Sequence, residues 1–104
     1  AEAFAGHGVA AMIFPTTPLP ARPLGAEVTV MWNGREAPAR AAYVRNIDPI
    51  SAAGLPGLSL PIGLTASAMP VGLELDGAEN TDRTLIGLGL AMEAVFGRLP
   101  APNF

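Results

Sequence analysis

Few side chains in this sequence could perform acid–base chemistry, and Glu74 and Asp76 are the most suggestive pair. Residues two apart in a β-strand point to the same face, so the Cα atoms of these two would lie roughly 6 to 7 Å apart. Two carboxylates at that spacing could act as an acid–base pair or bind a hard metal ion. We expect a solvated strand face instead, because antiparallel strands commonly expose one face to water.

The sequence contains even fewer residues that could act together in nucleophilic catalysis. The sequence contains no Lys and no Cys, and its three Ser residues, Ser51, Ser59 and Ser67, are isolated from one another. A neutral hydroxyl is a weak nucleophile and needs a base beside it. The single His, His7, lies between two glycines at an expected helix end, where a surface residue or a helix-terminus cation explains it. We therefore predict no catalytic residue, no metal ligand set and no cofactor site in these residues.

Two further polar residues are candidates for a substrate pocket. Asp48 borders the uncharged stretch 49–73, where a carboxylate needs either a partner or a role as a helix cap, and we favour the cap. Thr16 follows an expected buried strand, and loops at strand ends often line sites in α/β folds. Ordinary turn chemistry explains Thr16 about as well.

The first half of the chain predicts short elements. A helix ends near Gly6, and the apolar run Ala10–Phe14 is typical of a strand buried on both faces. Asn33-Gly34 is a type I′ turn signal, which places a small hairpin over residues 28–37. Short helices are then expected to begin with Pro38 at the first helical position and with Asp48 as cap.

The second half has a stronger pattern. Leu58, Leu60, Ile62 and Leu64 alternate with other residues, and so do Val71, Leu73 and Leu75, which predicts two antiparallel strands. Pro61 cannot donate to a ladder, so it should lie on an unpaired side or at a bulge. A last helix over residues 82–96, capped by Asn80 or Thr81, presents an apolar stripe formed by Leu85, Leu88, Met92 and Val95 or Phe96. Gly87 and Gly89 are expected to allow close packing on the sheet.

Composition limits the classes of function. Of the 104 residues, 50% are hydrophobic and only 14% are charged, against about 25% charged in an average domain, so part of the surface should face other protein. The uncharged stretch 49–73 is interrupted by four prolines and four glycines, which argues against a membrane span. The net charge is −3 and the six Arg residues are dispersed, so we expect no nucleic-acid binding. Absence of Cys fits a cytoplasmic protein.

Three linked motifs carry a resemblance to a known family. The stretch 48–77 contains Gly-Leu-Pro, Leu-Pro-Ile-Gly and Pro-Val-Gly-Leu, and in this order and spacing it resembles the C-terminal segment of the amidase signature family. Residues 4–18 (FAGHGVAAMIFPTTP) look like that family's helix, strand and Pro-Thr-Thr-Pro loop. Residues 43–51 (YVRNIDPIS) look closest to its indoleacetamide and mandelamide hydrolase branch.

The resemblance implies a fold and a function. Family members are α/β proteins with a mixed sheet wrapped by helices, so residues 1–104 would be a C-terminal portion with short strands, an antiparallel strand pair and a terminal helix. They hydrolyse amides through a Ser-Ser-Lys triad that is missing here, so we expect this chain to be inactive alone. By the same resemblance Ser51 joins Thr16 and Asp48 as a pocket candidate.

Partners follow from the same two lines of reasoning. The remainder of the parent amidase and a small amide substrate are the expected partners of an amidase segment. A non-catalytic interaction module that self-associates through its apolar surface is the alternative, and the low charge content favours it.

Overall fold

The computed structural model describes residues 2–25 and 28–102. The prediction that residues 1–6 form the last turns of a helix includes Ala1, which lies outside these ranges. The chain is α/β, as predicted, with four helices and five strands among the described residues. In chain order they are α1 (Glu2–His7), β1 (Met12–Pro15), β2 (Thr29–Trp32), β3 (Arg35–Pro38), α2 (Ala39–Val44), α3 (Asp48–Ala53), β4 (Gly57–Leu64), β5 (Pro70–Asp76) and α4 (Asp82–Phe96).

β4 and β5 form the predicted antiparallel pair, and β1 adds to the other side of β5 to give the order β1-β5-β4. The alternation of apolar residues fixes which face each side chain occupies, so Leu58 lies opposite Leu75 and Leu60 opposite Leu73. The ladder shifts register between Pro61 and Gly63. This confirms the expected bulge, because proline has no N–H to donate.

The apolar face of this sheet packs against α4. Leu60, Leu75 and Leu85 form the buried cluster, and Leu88 and Met92 pack against it with other partly buried residues. The expected apolar stripe is thus confirmed over its first three positions. It fails at the end of the helix, where Val95 is 80% exposed and Phe96 is 44% exposed.

The two helical glycines of α4 differ in their surroundings. A Cβ on Gly89 would lie 2.5 Å from Leu58 Cδ2, so this glycine lets the helix approach the sheet, as expected. A Cβ on Gly87 would meet nothing within 4 Å, so the prediction of close packing is wrong there. Thr81 is the N-cap residue, but its hydroxyl donates to the carbonyl oxygen of Ala78 and makes no cap hydrogen bond.

β2 and β3 form the small hairpin that the sequence predicts. Asn33 and Gly34 have φ angles of 50° and 74°, as a type I′ turn requires. The guanidinium of Arg45, just after α2, stacks over the Trp32 ring at 4.8 Å from its centroid. This contact fixes the hairpin to the helix that follows it.

The helix starts differ from expectation at both short helices. Pro38 precedes α2 as its N-cap residue instead of standing at the first helical position. Ile47 is the N-cap residue of α3, and Asp48 is the first helical residue, so the prediction that Asp48 caps this helix is wrong. An aspartate in the first turn still interacts favourably with the helix dipole. Gly54 ends α3 in the left-handed conformation, at φ 66°.

β1 is less buried than its apolar sequence predicts. Ile13 is 61% exposed, so the expectation of a strand buried on both faces is wrong. The reason is that β1 is an edge strand of the sheet, paired with β5 on one side only. Its sequence is typical of a strand with more protein around it than the described residues supply.

Candidate functional site

Opposite the helix-covered face, the sheet carries a row of polar side chains that we call the polar face: Thr16, Ser59, Glu74 and Asp76. Ser59 lies directly opposite Glu74 in the β4–β5 ladder. Cross-strand partners share a face, and residues two apart along a strand do so too, so the register of β5 brings these residues together. The leucines of the same two strands point the other way, into the core.

The hydroxyl groups of Thr16 and Ser59 form one half of the polar face. Their oxygens are hydrogen-bonded at 2.5 Å, across 43 residues of sequence. Gly72 lies beneath them, and a Cβ there would come within 2.7 Å of Thr16 Oγ1 and 3.1 Å of Ser59 Oγ. The backbone N–H of Thr16 also donates to the carbonyl oxygen of Gly72. Glycine at this position therefore permits the hydroxyl pair.

The carboxylates form the other half. Glu74 is 7% and Asp76 2% exposed, so the predicted solvated strand face is wrong. Both side chains lie over Gly57, where a Cβ would meet Glu74 Oε1 at 2.9 Å and Asp76 Oδ1 at 3.1 Å, with a methyl group of Ile50 close by. β5 is the central strand of three, so its side chains are flanked on both sides and lose the contact with water that an edge strand keeps.

The electrostatics of this half are unfavourable to charge. Asp76 Oδ1 is buried and has no hydrogen-bond partner among the described residues. Burial raises the pKa of the Asp76 carboxyl above its usual value, and the nearby Glu74 carboxylate raises it further. Both effects penalise the charged form of Asp76 relative to that of an exposed aspartate.

The three sequence-predicted pocket residues do not come together. Thr16 belongs to the polar face. Asp48 and Ser51 lie exposed on α3, and Asp48 makes no cap hydrogen bond with its side chain. A role for any of the three in a substrate pocket stays a prediction.

Ser59 is the polar residue whose setting the sequence did not indicate. Its position between Leu58 and Leu60 placed it on the face away from the core, but an isolated Ser gives no sign of its partner. The contact with Thr16 arises from the order of the three strands.

The loop that follows β1 is tied to the segment around α2. The side-chain amide of Asn46 donates to the carbonyl oxygen of Pro15 at 2.7 Å, and the Tyr43 hydroxyl donates to that of Pro20 at the same distance. These hydrogen bonds fix the backbone on either side of Thr16 and Thr17. The loop that carries the polar face's Thr16 is therefore positioned by side chains 23 and 31 residues beyond the carbonyl groups that they bind.

Within residues 2–25 and 28–102, no group of three or more His, Cys, Asp or Glu side chains is arranged to hold a metal ion. None of the helices in those ranges is long and apolar enough to cross a membrane.

Comparison with known proteins gives the family. The family model described as Amidase matches residues 1–86. The chain belongs to the amidase family. Among curated amidases, it is 48% identical over 87 residues to an indoleacetamide hydrolase of Rhizobium radiobacter, covering 84% of this chain and 19% of that protein. It is 40% identical over 101 residues to a mandelamide hydrolase of Pseudomonas putida, covering 96% of this chain and 19% of that protein.

The fold agrees with that of the family. A crystal structure of an amidase superposes with a TM-score of 0.80 at 38% sequence identity, over 86% of this chain and 20% of that one. The antiparallel strands and terminal helix described above are therefore part of the amidase fold. The chain spans about a fifth of the length of the relatives it matches.

Proposed function

We propose that this chain is the C-terminal part of an amidase that hydrolyses a primary amide of an arylacetic or related acid to the acid and ammonia. The observation that carries the proposal is the 48% identity with an indoleacetamide hydrolase over 87 residues. Since the chain spans 19% of that relative, the activity belongs to the completed enzyme, whose remainder is the first partner of this segment. The absence of Cys is compatible with a cytoplasmic enzyme.

The polar face offers this enzyme a wall for its pocket. The Thr16 hydroxyl is held by Ser59, so it is a fixed polar group at the end of β1. Ile50 is buried beside the carboxylates and gives this wall an apolar backing. Ser51 follows Ile50 on α3 and is exposed in this chain. A segment of the completed enzyme that covers α3 would enclose Ser51 in the pocket.

Chemistry by the chain alone is not expected. The Ser59 hydroxyl is hydrogen-bonded to another neutral hydroxyl, that of Thr16, which cannot act as its base at neutral pH. The sequence has no Lys, so the Ser-Ser-Lys triad implied by the resemblance cannot be assembled from these residues. The contribution we propose is scaffold and pocket wall.

The substrate proposal is tested by measuring ammonia release from the full-length amidase that carries this segment. Indoleacetamide, mandelamide and an aliphatic amide of similar size should be compared at equal enzyme concentration. We expect the two aryl amides to give the higher kcat/KM. An enzyme that releases ammonia from none of them would contradict the amidase assignment, and a preference for the aliphatic amide would contradict the aryl assignment.

The alternative function is a non-catalytic interaction module, and the exposed apolar side chains of α4 favour it. Ile86, Leu90 and Val95 are exposed, and the radius of gyration of 15.4 Å exceeds the roughly 13 Å of a compact 100-residue domain. Light scattering of the purified chain tests this alternative. Stable dimers that an Ile86→Lys substitution disperses, while Arg83→Lys leaves them intact, would support it. A monomer at all concentrations would contradict it.

A further inference from the structure

Within residues 2–25 and 28–102, the buried oxygen Oδ1 of Asp76 has no hydrogen-bond partner. Its residue is 98% buried by side-chain and backbone neighbours, since only 2% of its surface is exposed. Buried carboxylate oxygens in folded proteins almost always accept a hydrogen bond or an ion pair. An acceptor that is buried and free of partners therefore indicates that a donor is missing.

The surroundings of this oxygen supply no donor from the sheet. In the ladders, Asp76 lies opposite Gly57 of β4 and Met12 of β1, neither of which has a donor side chain. The point that these groups share is the position of a Cβ on Gly57. A methyl group of Ile50, from α3, approaches that point, and so does Oε1 of Glu74, the titratable neighbour on β5.

The chemistry of the missing donor follows from these two carboxylates. A neutral donor would satisfy one oxygen but would leave the repulsion between the two charges in place, and like charges this close resist joint ionisation. Calcium takes six to eight oxygen ligands and magnesium takes six, and two carboxylates beside a glycine and an isoleucine fall well short of either number. A basic side chain donates hydrogen bonds and neutralises charge together.

We propose that Glu74 and Asp76 form the receptor for one basic side chain, a guanidinium or ammonium group carried by the part of the amidase that covers the polar face. The proposal rests on the proposed function, because the covering segment belongs to the completed enzyme. We choose a basic side chain because its charge is complementary to the two converging carboxylates. Burial strengthens the attraction between the carboxylates and the cation. The basic group is a positioning residue for the segment that bears it.

The test uses the full-length amidase and measures its melting temperature between pH 5 and 8 for the wild type, Asp76→Asn and Glu74→Gln. Glu79→Gln is the matched control, because Glu79 is an exposed carboxylate three residues further along. We expect each of the first two substitutions to lower the melting temperature at pH 7 to 8 by at least about 5 °C. A desolvated carboxylate without a partner gives the opposite sign: Asp76→Asn would then raise the melting temperature at neutral pH, and that result would overturn the proposal.

A crystal structure of the wild-type full-length enzyme decides the question even where the variants do not fold. An Arg or Lys nitrogen within about 3.2 Å of a carboxylate oxygen of Glu74 or Asp76 is the expected result, and an apolar cover or water alone would overturn it. Ammonia release measured on the same wild-type preparation separates the two proposals. A basic group at the site in an inactive enzyme rejects the proposed function alone, whereas an active enzyme without that group rejects this inference alone.

Discussion

Asp76 lies directly opposite Gly57 in the β4–β5 ladder, and a Cβ on Gly57 would come within 3.1 Å of Asp76 Oδ1. The absence of a side chain at residue 57 is what leaves space for a buried carboxylate on the central strand. Glu74 Oε1 occupies the same space, at 2.9 Å from the same point. The packing therefore holds two acidic groups where a β-sheet ordinarily buries apolar ones. The stability of the chain should consequently depend on pH.

The stability of the 104-residue chain should fall as pH rises through the range in which Asp76 ionises. Burial, and then the Glu74 charge, raise the pKa of the folded-state Asp76 carboxyl, so the folded chain binds a proton that the unfolded chain releases. The stabilising contribution is complete below the unfolded-state pKa of about 3.9 and is lost as pH rises through the higher folded-state pKa. Urea denaturation between pH 4 and 8 should show Asp76→Asn more stable than wild type at pH 8, with less difference at pH 4. The control variant Glu79→Gln should differ from wild type by the same amount at both pH values. An equal difference between Asp76→Asn and wild type at pH 4 and pH 8 would show that the Asp76 carboxyl does not titrate as described.

The Thr16–Ser59 hydrogen bond should depend on the lack of a side chain at residue 72. The Cβ of Gly72→Ala would lie 2.7 Å from Thr16 Oγ1 and 3.2 Å from Thr16 Cβ, so rotation of the hydroxyl alone cannot relieve the contact. We expect a loss of about 1 to 3 kcal/mol in the free energy of unfolding. Gly63→Ala on β4 is the control, because its Cβ would meet nothing within 4 Å. Equal denaturation midpoints for the two variants would contradict the packing described at Gly72.

Leu75 should be the most sensitive position of the core. It is 1% exposed and belongs to the cluster with Leu60 and Leu85 between the sheet and α4. Leu75→Ala removes buried methyl groups and leaves a cavity, which costs about 2 to 5 kcal/mol. Ile86→Ala makes a similar change in volume on the exposed side of α4 and should cost far less. Urea denaturation compares the two, and a similar loss for both would show that α4 is packed through a different face.

Gly87 is a position where the chain should gain stability. A Cβ there would contact nothing, and the residue lies in the interior of α4, where alanine is favoured over glycine by about 1 kcal/mol. Gly87→Ala should therefore raise the denaturation midpoint. At Gly89 the same substitution must displace the Leu58 side chain, so it should gain less or lose stability. A gain at Gly89 equal to that at Gly87 would contradict the close approach of the helix to the sheet.

Much of the fold could be predicted because local patterns agree with it. Alternating leucines located β4 and β5, Pro61 marked the bulge, and Asn33-Gly34 marked the hairpin turn. These signals are local: each depends on the period of the strand or on the conformation that a residue type favours. The terminal helix was predicted for the same reason, through its apolar stripe.

The polar face could be predicted only in part, because alternation does not reveal what lies above it. Glu74 and Asp76 give the same pattern whether water or protein covers them, and their burial depends on β5 being central in the sheet. Asp48 met the same difficulty, since aspartate is favoured both as a cap and in the first helical turn. The contact of Ser59 with Thr16 joins residues 43 apart, beyond the reach of any local pattern.

We expect these residues, although they belong to an amidase, to hold none of its catalytic groups, and ammonia release by the purified 104-residue chain tests this expectation most directly. The chain should be incubated with indoleacetamide and mandelamide beside the full-length enzyme and beside the Ser59→Ala variant of the chain. We expect ammonia from the full-length enzyme and none above the buffer blank from either form of the chain. Ammonia released by the wild-type chain and abolished by Ser59→Ala would contradict it.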